Sequence, residues 1–254
     1  MGLHLYILTG ASRGMGAAMA QLLLADKHGL LCLSRKPSDA LAEQARVKGA
    51  QLEQWPLDLA HSLEAGAKLE QWLRGREPGA YESATLINNA SVMPSIGPLS
   101  AADGQDLSRA LRVGLEAPMM LAAAFLRVTE TWGVPRRLLN ISSGFGQRAI
   151  ASLSGYCAAK AGMDHFTRCV ALEEAGKPNG ARVCSLAPGV IDTDMQLQMR
   201  SADATAFPNR PRVLELKTSG RLTSPADAAA RVLAYLARPD FGANPVADLR
   251  DPST

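Results

Sequence analysis

Short apolar runs alternate along this chain with stretches whose apolar positions recur every three or four residues. The runs at 4–9, 29–34, 51–55, 84–88, 137–142 and 181–187, and a shorter one near 245–248, predict strands. The intervening stretches at 14–27, 38–49, 62–75, 101–131, 153–175, 192–200 and 225–237 predict helices. Most of the strand runs are apolar throughout rather than alternating, as strands covered on both faces are. Strand and helix alternate from end to end, which predicts βαβ units. The expected architecture is α/β: one doubly wound domain over residues 1–254, with a mostly parallel seven-stranded sheet and helices on both faces. The stretch around 200–223, which contains Pro208 and Pro211, has no period. It reads as an irregular excursion, so a substrate-side flap is expected at about 192–223.

Composition narrows the classes of function. The 254 residues are 47% hydrophobic and 20% charged, with a formal net charge of +3, as in a globular protein with a substantial core. The 27 Lys and Arg are scattered, which argues against nucleic-acid partners. No apolar run reaches membrane-spanning length, so no membrane partner is expected. Leu3–Leu8 is too short for a secretory signal, and a cytoplasmic location is expected. Cys32, Cys157, Cys169 and Cys184 have no paired spacing and read as reduced thiols. The four histidines are isolated in sequence, so no metal is expected.

Two patterns carry chemistry. The first strand runs into Thr9-Gly10-Ala11-Ser12-Arg13-Gly14-Met15-Gly16 and then a helix. Glycines let backbone turn sharply and approach a ligand, and a helix N-terminus offers free N–H groups to a pyrophosphate. Gly10, Ser12, Arg13, Gly14, Met15 and Gly16 are therefore expected to bind a dinucleotide in a Rossmann-type fold. An acidic residue ending the second strand would hold a ribose 2′-hydroxyl. Here that strand ends in Ser34-Arg35-Lys36. Arg35, with Lys36 beside it and Arg13 reaching from the loop, suits a 2′-phosphate and predicts NADP(H).

The second pattern is Tyr156-Cys157-Ala158-Ala159-Lys160, downstream of Ser143. Residues four apart share a helix face. A lysine ammonium near a phenol favours the phenolate, so Lys160 is expected to lower the Tyr156 pKa and make it a proton donor to a carbonyl oxygen. Ser143 adds a hydroxyl able to bind the same oxygen. Met93, Phe145, Met195, Met199 and Phe207 are candidates for apolar pocket walls.

With Asp58-Leu59, Asn88-Asn89-Ala90, Asn140-Ile141-Ser142-Ser143 and Pro188-Gly189 in that order along the chain, the sequence resembles the short-chain dehydrogenases/reductases over nearly its whole length. The resemblance implies an NADP(H)-dependent oxidoreductase with Ser143, Tyr156 and Lys160 as catalytic residues. It implies that Asp58 and Leu59 flank the adenine, although Asp58 is also placed to cap the helix starting near Ser62. It puts Asn89 and Ala90 along the ribose–phosphate path, Lys160 on the nicotinamide ribose, and Pro188, Gly189, Val190, Ile191 and Thr193 beside the nicotinamide. Gly144 and Gly189 would adjoin substrate with Ser143 and Tyr156. One departure stands out: Gly114, in Val113-Gly114-Leu115-Glu116-Ala117-Pro118, takes the place of the asparagine usual in that helix.

Within the family the C-terminal half is similar to the sepiapterin reductases, through Ala187-Pro188-Gly189-Val190-Ile191-Asp192-Thr193-Asp194-Met195-Gln196. That likeness implies that Asp248 anchors a pterin. The same features resemble bacterial benzil reductases, which act on aromatic 1,2-diketones. The expectation is an NADPH-dependent, sepiapterin reductase-like carbonyl reductase of a vicinal dicarbonyl or related ketone, with a benzil reductase-like enzyme as the alternative. The rivals are an oxidising alcohol dehydrogenase and a non-enzymatic NADP(H)-binding sensor. The helices at 101–131 and 153–175 resemble the family's pairing surface and imply a homodimer or homotetramer.

Overall fold

The computed structural model describes residues 2–251. Its framework is a seven-stranded sheet in the order β3-β2-β1-β4-β5-β6-β7 with every neighbouring pair parallel. The strands are β1 (Leu3–Thr9), β2 (His28–Ser34), β3 (Gln51–Pro56), β4 (Tyr81–Asn88), β5 (Arg136–Ile141), β6 (Arg182–Ala187) and β7 (Val246–Asp248). The helices are α1 (Gly14–Leu23), α2 (Asp39–Lys48), α3 (Ser62–Arg74), α4 (Gly104–Leu111), α5 (Ala117–Thr129), α6 (Ser154–Ala175), α7 (Asp194–Ser201), α8 (Arg210–Thr218) and α9 (Pro225–Ala237).

The apolar runs of the central strands bury both of their faces, as their composition requires. Leu5 and Ile7 of β1, with Leu31 and Leu33 of β2, pack on Leu69 and Leu73 of α3 and Leu121 and Phe125 of α5. Leu8, Leu30 and Cys32 face the other way, onto Met19 and Leu23 of α1 and Ala228 and Val232 of α9. Strand order reverses beside β1: the chain builds β1, β2 and β3 outward, then returns to place β4 on the far side of β1. The loops after β1 and β4 therefore diverge, and they open a crevice at the carboxyl ends of the strands.

Two expectations are corrected. The helix anticipated at 101–131 is α4 and α5 joined by a turn of π-helix at Arg112–Glu116. Pro118 has no N–H to give the Gly114 carbonyl four residues back, and its ring crowds that carbonyl. The hydrogen-bond ladder slips by one residue there, as in other π-bulges. The excursion at 200–223 is not irregular throughout. Pro211 stands in the first turn of α8, where a missing N–H costs nothing. Phe207 and Val213 anchor this segment in a small core with Met93, Leu153, Tyr156 and Met199.

One buried ion pair braces the sheet. The Arg136 side chain, fully buried, bonds Glu174 of α6 at 3.2 Å and the Asn179 carbonyl. Glu174 also accepts from the Ala181 amide at 2.8 Å and from Lys177 at 2.8 Å. Burial raises the Glu174 pKa, but the amide and the two cations outweigh it and hold the carboxyl below its ordinary value. A depressed carboxyl contributes stability above its unfolded pKa, and that stability is lost as pH falls through the folded value. Removing one partner of a buried pair strands the other. Glu174→Ala is expected to destabilise the fold by about 3–5 kcal/mol, read from urea unfolding at pH 7, with the deficit shrinking as pH is lowered.

Candidate active site

A cavity of about 440 Å³ opens at the carboxyl ends of β1, β4, β5 and β6. Its β1 end is built by backbone. Gly10 takes φ +73° and donates its N–H to the Leu33 carbonyl at 2.8 Å. A side chain on Gly16 would overlap the Gly10 carbonyl, so the first turn of α1 fits against the loop only with glycine there. Thr9 Oγ1 accepts from the Asn89 and Ala90 amides at 2.9 and 3.0 Å. The Asn89 side chain returns bonds to the Thr9 and Gly10 carbonyls at 3.0 and 3.3 Å. Four hydrogen bonds thus clamp the loop after β1 to the loop after β4.

Gly10, Ser12, Arg13, Gly14, Met15, Gly16, Arg35, Asp58, Leu59, Asn89 and Ala90 all line the cavity. So do Ser143, Gly144, Tyr156, Lys160, Pro188, Gly189, Val190, Ile191 and Thr193. Lys36 and Arg13 are placed otherwise than around a 2′-phosphate beside Arg35. Lys36 is exposed and lies outside the lining; only its carbonyl is engaged, by Ser34 Oγ at 2.8 Å. Arg13 turns away from Arg35 to bond Asp194 at the start of α7, at 2.5 Å. Arg35 therefore stands without Arg13 at the end of β2.

Asp58 does not cap α3, whose N-cap is His61. It accepts instead from the Ala60 amide at 3.0 Å and from Arg109 at 2.9 Å. Burial raises its pKa, and these bonds together with the charges of Arg109 and Arg35 bring it below the ordinary value. Arg109 belongs to the site and was missed. No local motif marks it, because it reaches Asp58 across 51 positions in sequence.

Tyr156 and Lys160 sit one turn apart on α6, and both are buried. The ammonium stands 5.7 Å from the tyrosine ring and donates to the Ile141 carbonyl at 2.8 Å. Its effect on the phenol is not the one anticipated. Burial pushes the Tyr156 pKa up to about 12, against a hydrogen bond with Ser143 that lowers it. The same burial lowers Lys160 to about 8, against the charge of Asp164. Desolvation at this depth is the largest cause of both shifts. Ser143 Oγ also accepts from the Phe145 amide at 3.2 Å, which orients the hydroxyl.

The π turn touches this helix. A Cβ on Gly114 would lie 3.3 Å from Ala159 Cβ and 3.7 Å from Ser91 Oγ, and that buried hydroxyl has no hydrogen-bond partner. The missing side chain thus leaves a polar atom beside α6 that sequence reasoning did not single out. Met93, Phe145, Met195 and Met199 line the cavity as expected, whereas Phe207 lies behind it in the core. Asp248 does not line it: its carboxylate takes both ends of the Arg250 guanidinium and the Arg250 amide, and Arg250 faces the cavity instead.

The sequence profile of the family described as short chain dehydrogenase matches residues 4–204, most of the chain. The chain belongs to this family. It is 34% identical over 237 residues to a benzil reductase ((S)-benzoin forming) from Bacillus cereus, covering 92% of this chain and 94% of that enzyme. It is 28% identical over 265 residues to the sepiapterin reductase of Bos taurus, covering 99% and 96%. The fold matches a 3-oxoacyl-[acyl-carrier protein] reductase from Brucella melitensis solved in complex with NAD, with a TM-score of 0.79 over 98% of this chain and 95% of that one, at 23% identity. These relatives make the protein a short-chain oxidoreductase that acts on a carbonyl–alcohol pair in a small molecule. Among the described residues, no helix is long and apolar enough to cross a membrane, and no cluster of metal-binding side chains is present.

The buried lysine has a measurable signature. Its pKa falls from 10.5 to about 8 on folding, so between those values the unfolded chain binds more protons. Stability is therefore expected to gain a rising contribution as pH increases from about 8 toward 10.5. Chemical denaturation across that range should show the contribution in the wild type and not in Lys160→Met.

Proposed function

We propose that this protein is an NADPH-dependent carbonyl reductase acting on vicinal dicarbonyls, closer in its chemistry to the benzil reductases than to the sepiapterin reductases. The observation that carries this reading is the convergence of Ser143, Tyr156 and Lys160 on a cavity whose far wall is the glycine loop. The apolar lining at Met93, Phe145, Met195 and Met199 supports an aryl or alkyl diketone. The engagement of Asp248 by Arg250 weighs against a pterin held at that carboxylate. All three reactive residues are present, which disfavours a pure sensor.

The residues fit a dinucleotide phosphate. Gly10 and Gly14 take positive φ and leave the loop without side chains where a pyrophosphate would lie. Arg35 offers a cation at the end of β2 with no acid following it in the strand. Asp58 and Arg109 neutralise each other beside it and would border the adenine. When bound, the nicotinamide supplies a hydride to the carbonyl carbon. Ser143 donates a hydrogen bond to the carbonyl oxygen, and Tyr156 delivers the proton that completes the alcohol. Lys160 binds the ribose and stabilises the phenolate left behind. A tyrosine at about 12 holds its proton until negative charge builds on the oxygen, which suits a proton donor in reduction. Residues 192–223, with α7 and α8, act as the substrate-side flap of a single domain. Subunits pair through α4, α5 and α6 as a homodimer or homotetramer, and the enzyme works in the cytoplasm.

NADPH oxidation with benzil is the direct assay. Tyr156→Phe is expected to lower kcat at least 100-fold, in the range of general acid catalysis, and equal rates would remove the proton-donor role. Arg35→Ala is expected to raise KM for NADPH by about 10-fold or more while leaving that for NADH nearly unchanged. A wild type that prefers NADH would refute the cofactor assignment.

A further inference from the structure

Two guanidinium groups close on one point next to Ser143. A methyl group built on Gly144 would stand 2.7 Å from Nη2 of Arg250 and 2.9 Å from Nη2 of Arg148. Both arginines line the cavity. They arrive from separate parts of the chain, Arg148 on the loop after β5 and Arg250 just beyond β7. The stem of Arg250 packs over the Pro188-Gly189 turn, with Cγ 3.8 Å from where a Gly189 Cβ would be.

Charge at this point is not balanced. Asp248 holds Arg250 through Nε and Nη2, and the charge of Arg148 also lowers its pKa. Arg148 itself forms no ion pair with any described residue. Two cations thus share one carboxylate, and that carboxylate is the less exposed member of its pair, at 19% against 41%. The surplus positive charge faces the cavity, within reach of a group adjoining the carbonyl that Ser143 would bind. Planar guanidinium groups match carboxylate oxygens in pairs.

The geometry points to a carboxylate-binding subsite formed by Arg148 and Arg250, so that the enzyme also reduces 2-oxo acids, in which a carboxylate stands where a diketone has its second carbonyl group. This rests on the carbonyl reductase reading above. The overall reaction balances as oxo acid plus NADPH plus a proton giving hydroxy acid plus NADP+. Gly144 bears no side chain, which lets both guanidinium groups come up against the backbone beside Ser143. Asp248 then positions Arg250 and does not touch the substrate.

Phenylglyoxylate and its methyl ester make a matched pair of probes. They share the ketone and the aryl ring and differ only in the anionic charge. In the wild type kcat/KM with NADPH is expected to favour the acid over the ester by about 10- to 100-fold, the span expected of hydrogen bonds to a charged group. Arg148→Met and Arg250→Met should each lower that ratio by about 10-fold, and Arg148→Lys should restore part of it. A ratio near one in the wild type, or one that neither substitution moves, would overturn the subsite while leaving ester reduction intact. Should neither compound be reduced, the benzil assay decides the reductase reading, and calorimetric binding of phenylglyoxylate decides the subsite on its own: it should be weakened by both substitutions. An Arg250→Met protein that gains sepiapterin reduction would show Asp248 to be the working anchor and would also overturn the assignment.

Discussion

The site depends on how the sheet closes where its strand order reverses. At that point β1 and β4 are neighbours, and the chain leaves them toward opposite edges of the sheet. The loops that follow them are held together by polar bonds: Thr9 Oγ1 with the Asn89 and Ala90 amides, and the Asn89 side chain with the Thr9 and Gly10 carbonyls. These bonds use up polar groups that would otherwise face a crevice unpaired, and they fix the glycine loop against the end of the sheet. Gly16 then brings α1 close enough that its free amides face the crevice. The rest of the lining is arranged around that fixed edge.

On the other side of the crevice the dominant force is desolvation. α6 carries Tyr156, Lys160 and Asp164 along a buried face, and the sheet offers them the Ile141 carbonyl and Ser185 as partners. The lysine charge is not spent on the phenol alone. It is shared with a main-chain carbonyl and balanced through the field of Asp164. A tyrosine and a lysine one turn apart on an exposed helix would each titrate near their ordinary values. Burial moves both, in opposite directions, and brings them to the depth where a bound ligand meets them.

Much of this was legible in the sequence because it depends on local chemistry. The short runs mark all seven strands to within a few residues, most clearly in the central strands, whose burial on both faces leaves no other pattern. The glycine spacing, Ser143 and the Tyr156–Lys160 pair were readable because turn and helix geometry place them without help from the rest of the fold. What escaped depends on long-range contact. Arg109 and Arg250 reach the cavity from helix and tail positions with no motif around them. Arg13 turned to Asp194, 181 residues away. Asp248 follows only from the likeness to the sepiapterin reductases, and its neighbour Arg250 takes both of its oxygens. Pro211 lies in a stretch without a period, yet it stands in the first turn of α8, a place that only the fold reveals.

The π turn at Arg112–Glu116 also sets a phase. A helix advances about 100° per residue, so one extra residue in a turn rotates everything upstream by roughly that angle relative to everything downstream. With the turn in place, α4 directs Arg109 to Asp58 and Asp106 to Ser95, while α5 directs Leu121 and Phe125 into the core. A chain shortened by one residue here would keep an unbroken helix and lose one of these two alignments. The sequence Gly114 to Pro118 therefore acts as a gear tooth between the packing of the sheet and the rim of the crevice, and length variation is expected to be excluded from this segment more strictly than residue substitution.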